Sequence, residues 1–169
     1  MLPIRIQVFV QTIVSMLSIF TVVWAVIMRS TAKSRYYLFL ALTVFFYATG
    51  YLLELDAQTL EAAYFAQRMQ YFGVPFVAVC YYLFIRDYGN RPVRKKWQLV
   101  LLFLLPVVVL FSMNGYPDWR AYYHRITFDM LPTPHLVIEK GVLFYLFMAY
   151  SLGLILLGLI EVLWHYPTT

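Results

Sequence analysis

The sequence predicts an all-α integral membrane helical bundle: five transmembrane helices, with a short external β-hairpin between the fourth and the fifth. Three observations carry that reading. Of 169 residues, 63% are hydrophobic and 12% charged, against roughly 45–50% apolar and about 25% charged in soluble domains. The apolar residues gather into blocks that approach the roughly 20 residues needed to cross a bilayer. Lysine and arginine collect on alternate turns between those blocks, as they do where a chain repeatedly crosses a membrane. The composition excludes an ordinary soluble protein. A lone cysteine, Cys80, leaves no intrachain disulfide and no cysteine metal site. The formal charge of +5 is read as an orientation signal, and no nucleic-acid partner is expected.

The first span is Ile6 to Met28, uncharged throughout, too long for a signal-peptide core and without a basic cluster or small-residue cleavage site. The others are expected at 36–53, 69–85, 98–113 and 142–160. Trp97 is drawn into the headgroup layer beside the short fourth block. Pro75 and Pro106 each remove a backbone donor and predict kinks in the third and fourth spans. In the fifth, Ala149 and Gly153 form a small-xxx-small pair that allows close approach inside the bundle or between protomers of a homodimer.

Arg29, Lys33 and Arg35 follow the first span, and Arg86, Arg91, Arg94, Lys95 and Lys96 follow the third. Both turns are assigned to the cytoplasm. The turn after the second span carries Glu54, Asp56 and Glu61 before Arg68 and is assigned outside, so the N terminus is expected outside and the C terminus inside. The segment 114–141 is then external. Within it Ile126, Phe128 and Met130 alternate with Thr127 and Asp129, Pro132 and Pro134 punctuate, and Leu136 and Ile138 alternate again. That is a hairpin signature, with Ile126 and Phe128 on the face toward the helices. An irregular interfacial loop is the competing reading.

Polar positions indicate which face of each span looks inward. Gln7, Gln11, Ser15 and Ser18 share one side of the first helix, and Tyr36, Thr43, Tyr47, Gly50 and Glu54 one side of the second. Two readings stand open: interhelical hydrogen bonding and close packing, or a lined ligand cavity. A Glu54–Arg68 pair is expected at the outer boundary, either as a static helix-end pair or as a charged anchor. A ligand site is expected in the outer half of the bundle, near Glu54, Arg68, Tyr47, Tyr71 and Asn114, since convergent polar groups in an apolar, aromatic surround are what small-molecule sites require. The alternative is that these groups only satisfy one another.

No phosphate-binding glycine loop, paired-cysteine motif, zinc-spaced histidine pair or nucleophile elbow is present. His124 and His135, with Asp118, Asp129 and Glu139 nearby, are read as surface residues in preference to a metal site. His165 as a haem ligand lacks an opposing partner on another span. No cofactor, no metal and no catalysis are expected.

The run Tyr47-Ala48-Thr49-Gly50-Tyr51-Leu52-Leu53-Glu54-Leu55, followed by Ala66-Gln67-Arg68-Met69-Gln70-Tyr71-Phe72-Gly73-Val74-Pro75, resembles the N-terminal seven-transmembrane sensor region of bacterial histidine kinases. The same module also precedes diguanylate cyclase domains. Tyr82 to Tyr88 with the basic turn, Leu104-Leu105-Pro106, Met113-Asn114 and the stretch from Gly141 to Gly158 are similar to further parts of it, in order and spacing. Where that family carries a histidine soon after its Thr-Asn pair, position 117 here is proline, and the first histidine to follow is His124; the resemblance adds His124 to the candidate ligand-binding residues. The family continues through two more spans to a cytoplasmic output domain, so the chain resembles a sensor fragment or truncated homologue.

The resemblance implies a signal-input module in the bacterial inner membrane. It would take an unidentified small-molecule or lipid-like cue and pass a helix rearrangement to a kinase or cyclase. A structural or assembly subunit is the alternative. A transporter or channel fragment is disfavoured because ionisable residues cluster at span ends.

Overall fold

A computed structural model describes residues 4–28, 35–115, 118–129 and 135–165. Met130, Pro132 and Pro134, and the cations Arg29 and Lys33, lie outside the described residues. Within these limits the order is α1 (Ile4–Ile27), α2 (Tyr36–Leu55), α3 (Leu60–Tyr71), a 3-10 turn (Val74–Phe76), α4 (Val77–Tyr88), α5 (Lys96–Asn114), β1 (Tyr123–Asp129), β2 (His135–Lys140) and α6 (Val142–His165). Five helical stretches are long and apolar enough to cross a membrane, the third being the combined run Leu60–Tyr88.

α2 is the central helix, because both of its sides carry small residues. On one side, Gln11 Nε2 and Ser15 Oγ of α1 donate to the Ala48 carbonyl at 2.9 and 3.2 Å, while Ser18 turns back to the Ser15 carbonyl. Gln11 and Ser15 of the first polar stripe thus form an interhelical hydrogen-bonding seam. On the other side, a Cβ at Gly50 would lie 2.6 Å from the Gln70 backbone nitrogen and 2.8 Å from the Ala66 carbonyl oxygen. Glycine at 50 is therefore what lets α2 and α3 cross this closely.

The third span departs from a kinked single helix. Its helix begins at Leu60 rather than near Met69, because Thr59 caps it: the Thr59 hydroxyl accepts from the Ala62 N–H at 3.2 Å. It then stops altogether. Pro75 has no N–H and its ring opposes the carbonyl four residues back, so the α-helical ladder ends at Tyr71, a 3-10 turn takes over and α4 begins at Val77. Gly73 sits in the break against the Thr43 backbone of α2, where any Cβ would collide with it. Pro106, by contrast, is accommodated inside a continuous α5.

The hairpin pairs antiparallel, with Ile126 opposite Ile138, Phe128 opposite Leu136 and Asp129 opposite His135. Its apolar face packs into a first core with Tyr71, Met113, Tyr122 and Phe147. A second core, containing Tyr36, Val79, Leu83 and Leu154, lies beyond the break. The interruption at 72–76 therefore separates two packed layers of one bundle.

Candidate functional site

A junction at the hairpin end of the bundle is built from α2, α3 and the hairpin. Glu54, in the last turn of α2, is buried at 8% exposure. One carboxylate oxygen accepts from Gln70 Nε2 at 2.6 Å and the other from the Leu136 N–H of β2 at 3.3 Å. A single side chain thus ties two helices to the hairpin.

Beside it, the Tyr71 and Tyr122 hydroxyls lie 3.0 Å apart, their rings meet edge to face at 5.5 Å, and Gln67 Nε2 donates to the Tyr123 hydroxyl at 3.1 Å. Tyr122 and Tyr123 are almost wholly buried. That burial, with the neighbouring Tyr71 phenol, pushes both of their pKa values well above the ordinary phenol range, so they act as neutral hydrogen-bonding rings.

Arg68 does not meet Glu54. Its Nη2 donates to the Asn114 carbonyl at 3.3 Å and lies 3.5 Å from the Tyr64 hydroxyl, with the guanidinium 4.5 Å above the Tyr64 ring. The reason is helical phase. Residues 64 and 68 share a face of α3 that turns toward α5, whereas 66 and 70 share the face against α2.

The other candidate residues separate. Tyr71 stands at the junction. Asn114 contributes its backbone carbonyl to Arg68, while its side-chain amide donates back to the Leu110 carbonyl at 2.8 Å. Tyr47 is 46% exposed and stacks on Tyr51 at the bundle surface. His124 is exposed where the β1 register shifts between Tyr123 and Arg125, on the outer side of the hairpin. Sequence reasoning missed Gln70, Tyr122 and the Leu136 amide. Gln70 carried a signal, since it lies two residues from Arg68 on the opposite face of α3. A backbone amide carries none.

At the break, an apolar cavity of about 420 Å³ is lined by Leu42, Thr43 and Phe46 of α2, Phe72 and Phe76 of the interruption and Phe103 of α5, among others. At the far end of the bundle Arg86 of α4 pairs with Glu161 of α6 at 3.1 Å, while its Nε donates to the Arg91 carbonyl at 3.0 Å.

These features define a multi-pass helical membrane protein with one end of the bundle closed by a packed hairpin. Residues 8–169 match the family described as the N-terminal 7TM region of histidine kinase. The chain belongs to that family, and is accordingly a multi-pass bacterial membrane protein of the two-component sensor type. No curated protein and no solved structure gives a significant match.

Proposed function

We propose that this chain is a signal-input module that responds to a small, membrane-soluble cue and passes a helix rearrangement to a kinase or cyclase output domain on the cytoplasmic side. The N terminus is placed outside, by the alternation of basic and acidic turns. The observation that carries the reading is the aromatic cavity at the interrupted third span. It falls within the roughly 300–1,000 Å³ of small-molecule sites, its walls are almost entirely apolar, and two of its phenylalanines belong to the break itself. A molecule there contacts the one place where the span has no continuous α-helical ladder, so it binds two arrangements of the break unequally, which is what a population shift requires.

The outer junction of Glu54, Gln70, Tyr71 and Tyr122 holds the hairpin over the layer above the break. Arg68 and Asn114 brace α3 against α5 beside it. In this reading these groups are a latch, and a polar ligand in the outer half would have to displace their internal partners.

The test joins the chain to a histidine kinase core in nanodiscs and compares Leu42→Trp, which fills the cavity, with Leu152→Trp on the exposed face of α6. The sensor reading expects the first to shift autophosphorylation and the second to leave it unchanged. Equal output from both would favour the structural-subunit reading.

A further inference from the structure

The turn between α4 and α5 walls another cavity, of about 510 Å³. Its charge comes from Arg86, Arg94 and Lys95, its rim from Trp97 and its apolar wall from Leu101 and Leu102. Arg86 is fixed by the Arg91 carbonyl, the Tyr82 hydroxyl at 3.2 Å and Glu161. Arg94 and Lys95 are exposed, and no carboxylate of the described residues pairs with them. α5 starts here without a side-chain cap, leaving the first N–H groups of the helix without intrahelical acceptors. From this polar mouth, exposed Val100, Leu101 and Leu104 continue the apolar wall along α5.

We propose that this cavity holds the phosphate of an anionic phospholipid, with one acyl chain lying along Leu101. The charge excess over Glu161 selects an anion. The Trp97 rim places that anion at headgroup depth, and basic pockets between spans are where lipid phosphates bind. A free phosphate would make no use of the apolar wall. A zwitterionic headgroup brings a cation of its own into a site already rich in them. Bound phosphate shares Arg86 with Glu161, so occupancy weakens the tie between α4 and α6. The site is independent of the cue cavity and of which side of the membrane the termini occupy.

The purified full chain is titrated in detergent with dioleoyl phosphatidylglycerol, dioleoyl phosphatidylcholine and inorganic phosphate, and bound lipid is counted by native mass spectrometry. Phosphatidylglycerol is expected to bind in preference to phosphatidylcholine and to resist displacement by inorganic phosphate. The double variant R94A/K95A should lose about thirtyfold in affinity for it. R91A/K96A, which removes the same charge outside the cavity lining, should lose little. Gln98→Trp fills the cavity without changing charge and should reproduce the loss. Equal losses from the two double variants, equal binding of the two lipids, displacement by inorganic phosphate, or unaltered binding by Gln98→Trp would each overturn the proposal.

Discussion

At the residue scale, Glu54 shows how one side chain joins elements distant in sequence. Its carboxylate takes a hydrogen bond from a side-chain amide of α3 and another from a backbone amide of β2. Glu54→Ala strands both donors, at about 1–3 kcal/mol each. We expect a corresponding loss in a reversible detergent-unfolding titration, together with faster hydrogen exchange at the Leu136 amide. Glu54→Gln keeps one acceptor and should lose less. The buried phenols add a pH signature. The folded pKa values of Tyr122 and Tyr123 lie above the ordinary 10.0, so their contribution is fully present below pH 10 and declines as pH rises beyond it. The hairpin should hold to about pH 10 and then loosen, read by tyrosinate absorbance alongside Leu136 exchange; loosening near neutrality would contradict the assignment. That Glu54 faces inward was legible from its stripe on α2. Its partners were not, because a carboxylate can be satisfied by an amide as well as a cation, and the phase of α3 turns Arg68 away.

At the element scale, small residues decide which helices touch. Gly50 meets the Gln70 and Ala66 backbone of α3, whereas a Cβ at Gly153 of α6 meets nothing within 4 Å. Gly50→Ala should therefore force α2 and α3 apart and cost about 1–3 kcal/mol, while Gly153→Ala should be neutral within about 0.5 kcal/mol. Detergent-unfolding midpoints of the two variants check the contrast. The elements themselves were largely legible. Alternation at Ile126, Phe128, Leu136 and Ile138 foretold the hairpin and its apolar face, since period two leaves only one face to bury. The start of the third helix was hidden because Glu61, Gln67, Arg68 and Gln70 make α3 polar while it is still helical, and hydropathy registers the apolar stretch, not the cap at Thr59. Pro75 announced a disturbance, but its depth depended on Gly73 lying against the Thr43 backbone, a contact between segments far apart in sequence.

At the scale of the whole molecule, the two cores on either side of the break give the bundle one layer at the hairpin end and one at the opposite end, joined through the interrupted third span, while α5 and α6 contribute to both. Five spans were readable because apolar length is a local property. The latch and the cavity were not, because they arise where α2, the break, α5 and the hairpin converge. The proposed orientation is checked with single cysteines in a Cys80→Ala background. Gln58→Cys, exposed in the α2–α3 turn, should label from outside intact cells, and Arg91→Cys should label only after permeabilisation; Ala57 is unsuitable because it is buried. The central claim, that a cue in the cavity at the break sets the state of an input module, is tested most directly by the autophosphorylation rate of a fused kinase core in nanodiscs, comparing wild type, the cavity-filling Leu42→Trp and the surface control Gln58→Ala. The account predicts a severalfold change for Leu42→Trp with helical content preserved, and none for Gln58→Ala. Identical rates in all three folded proteins would contradict it.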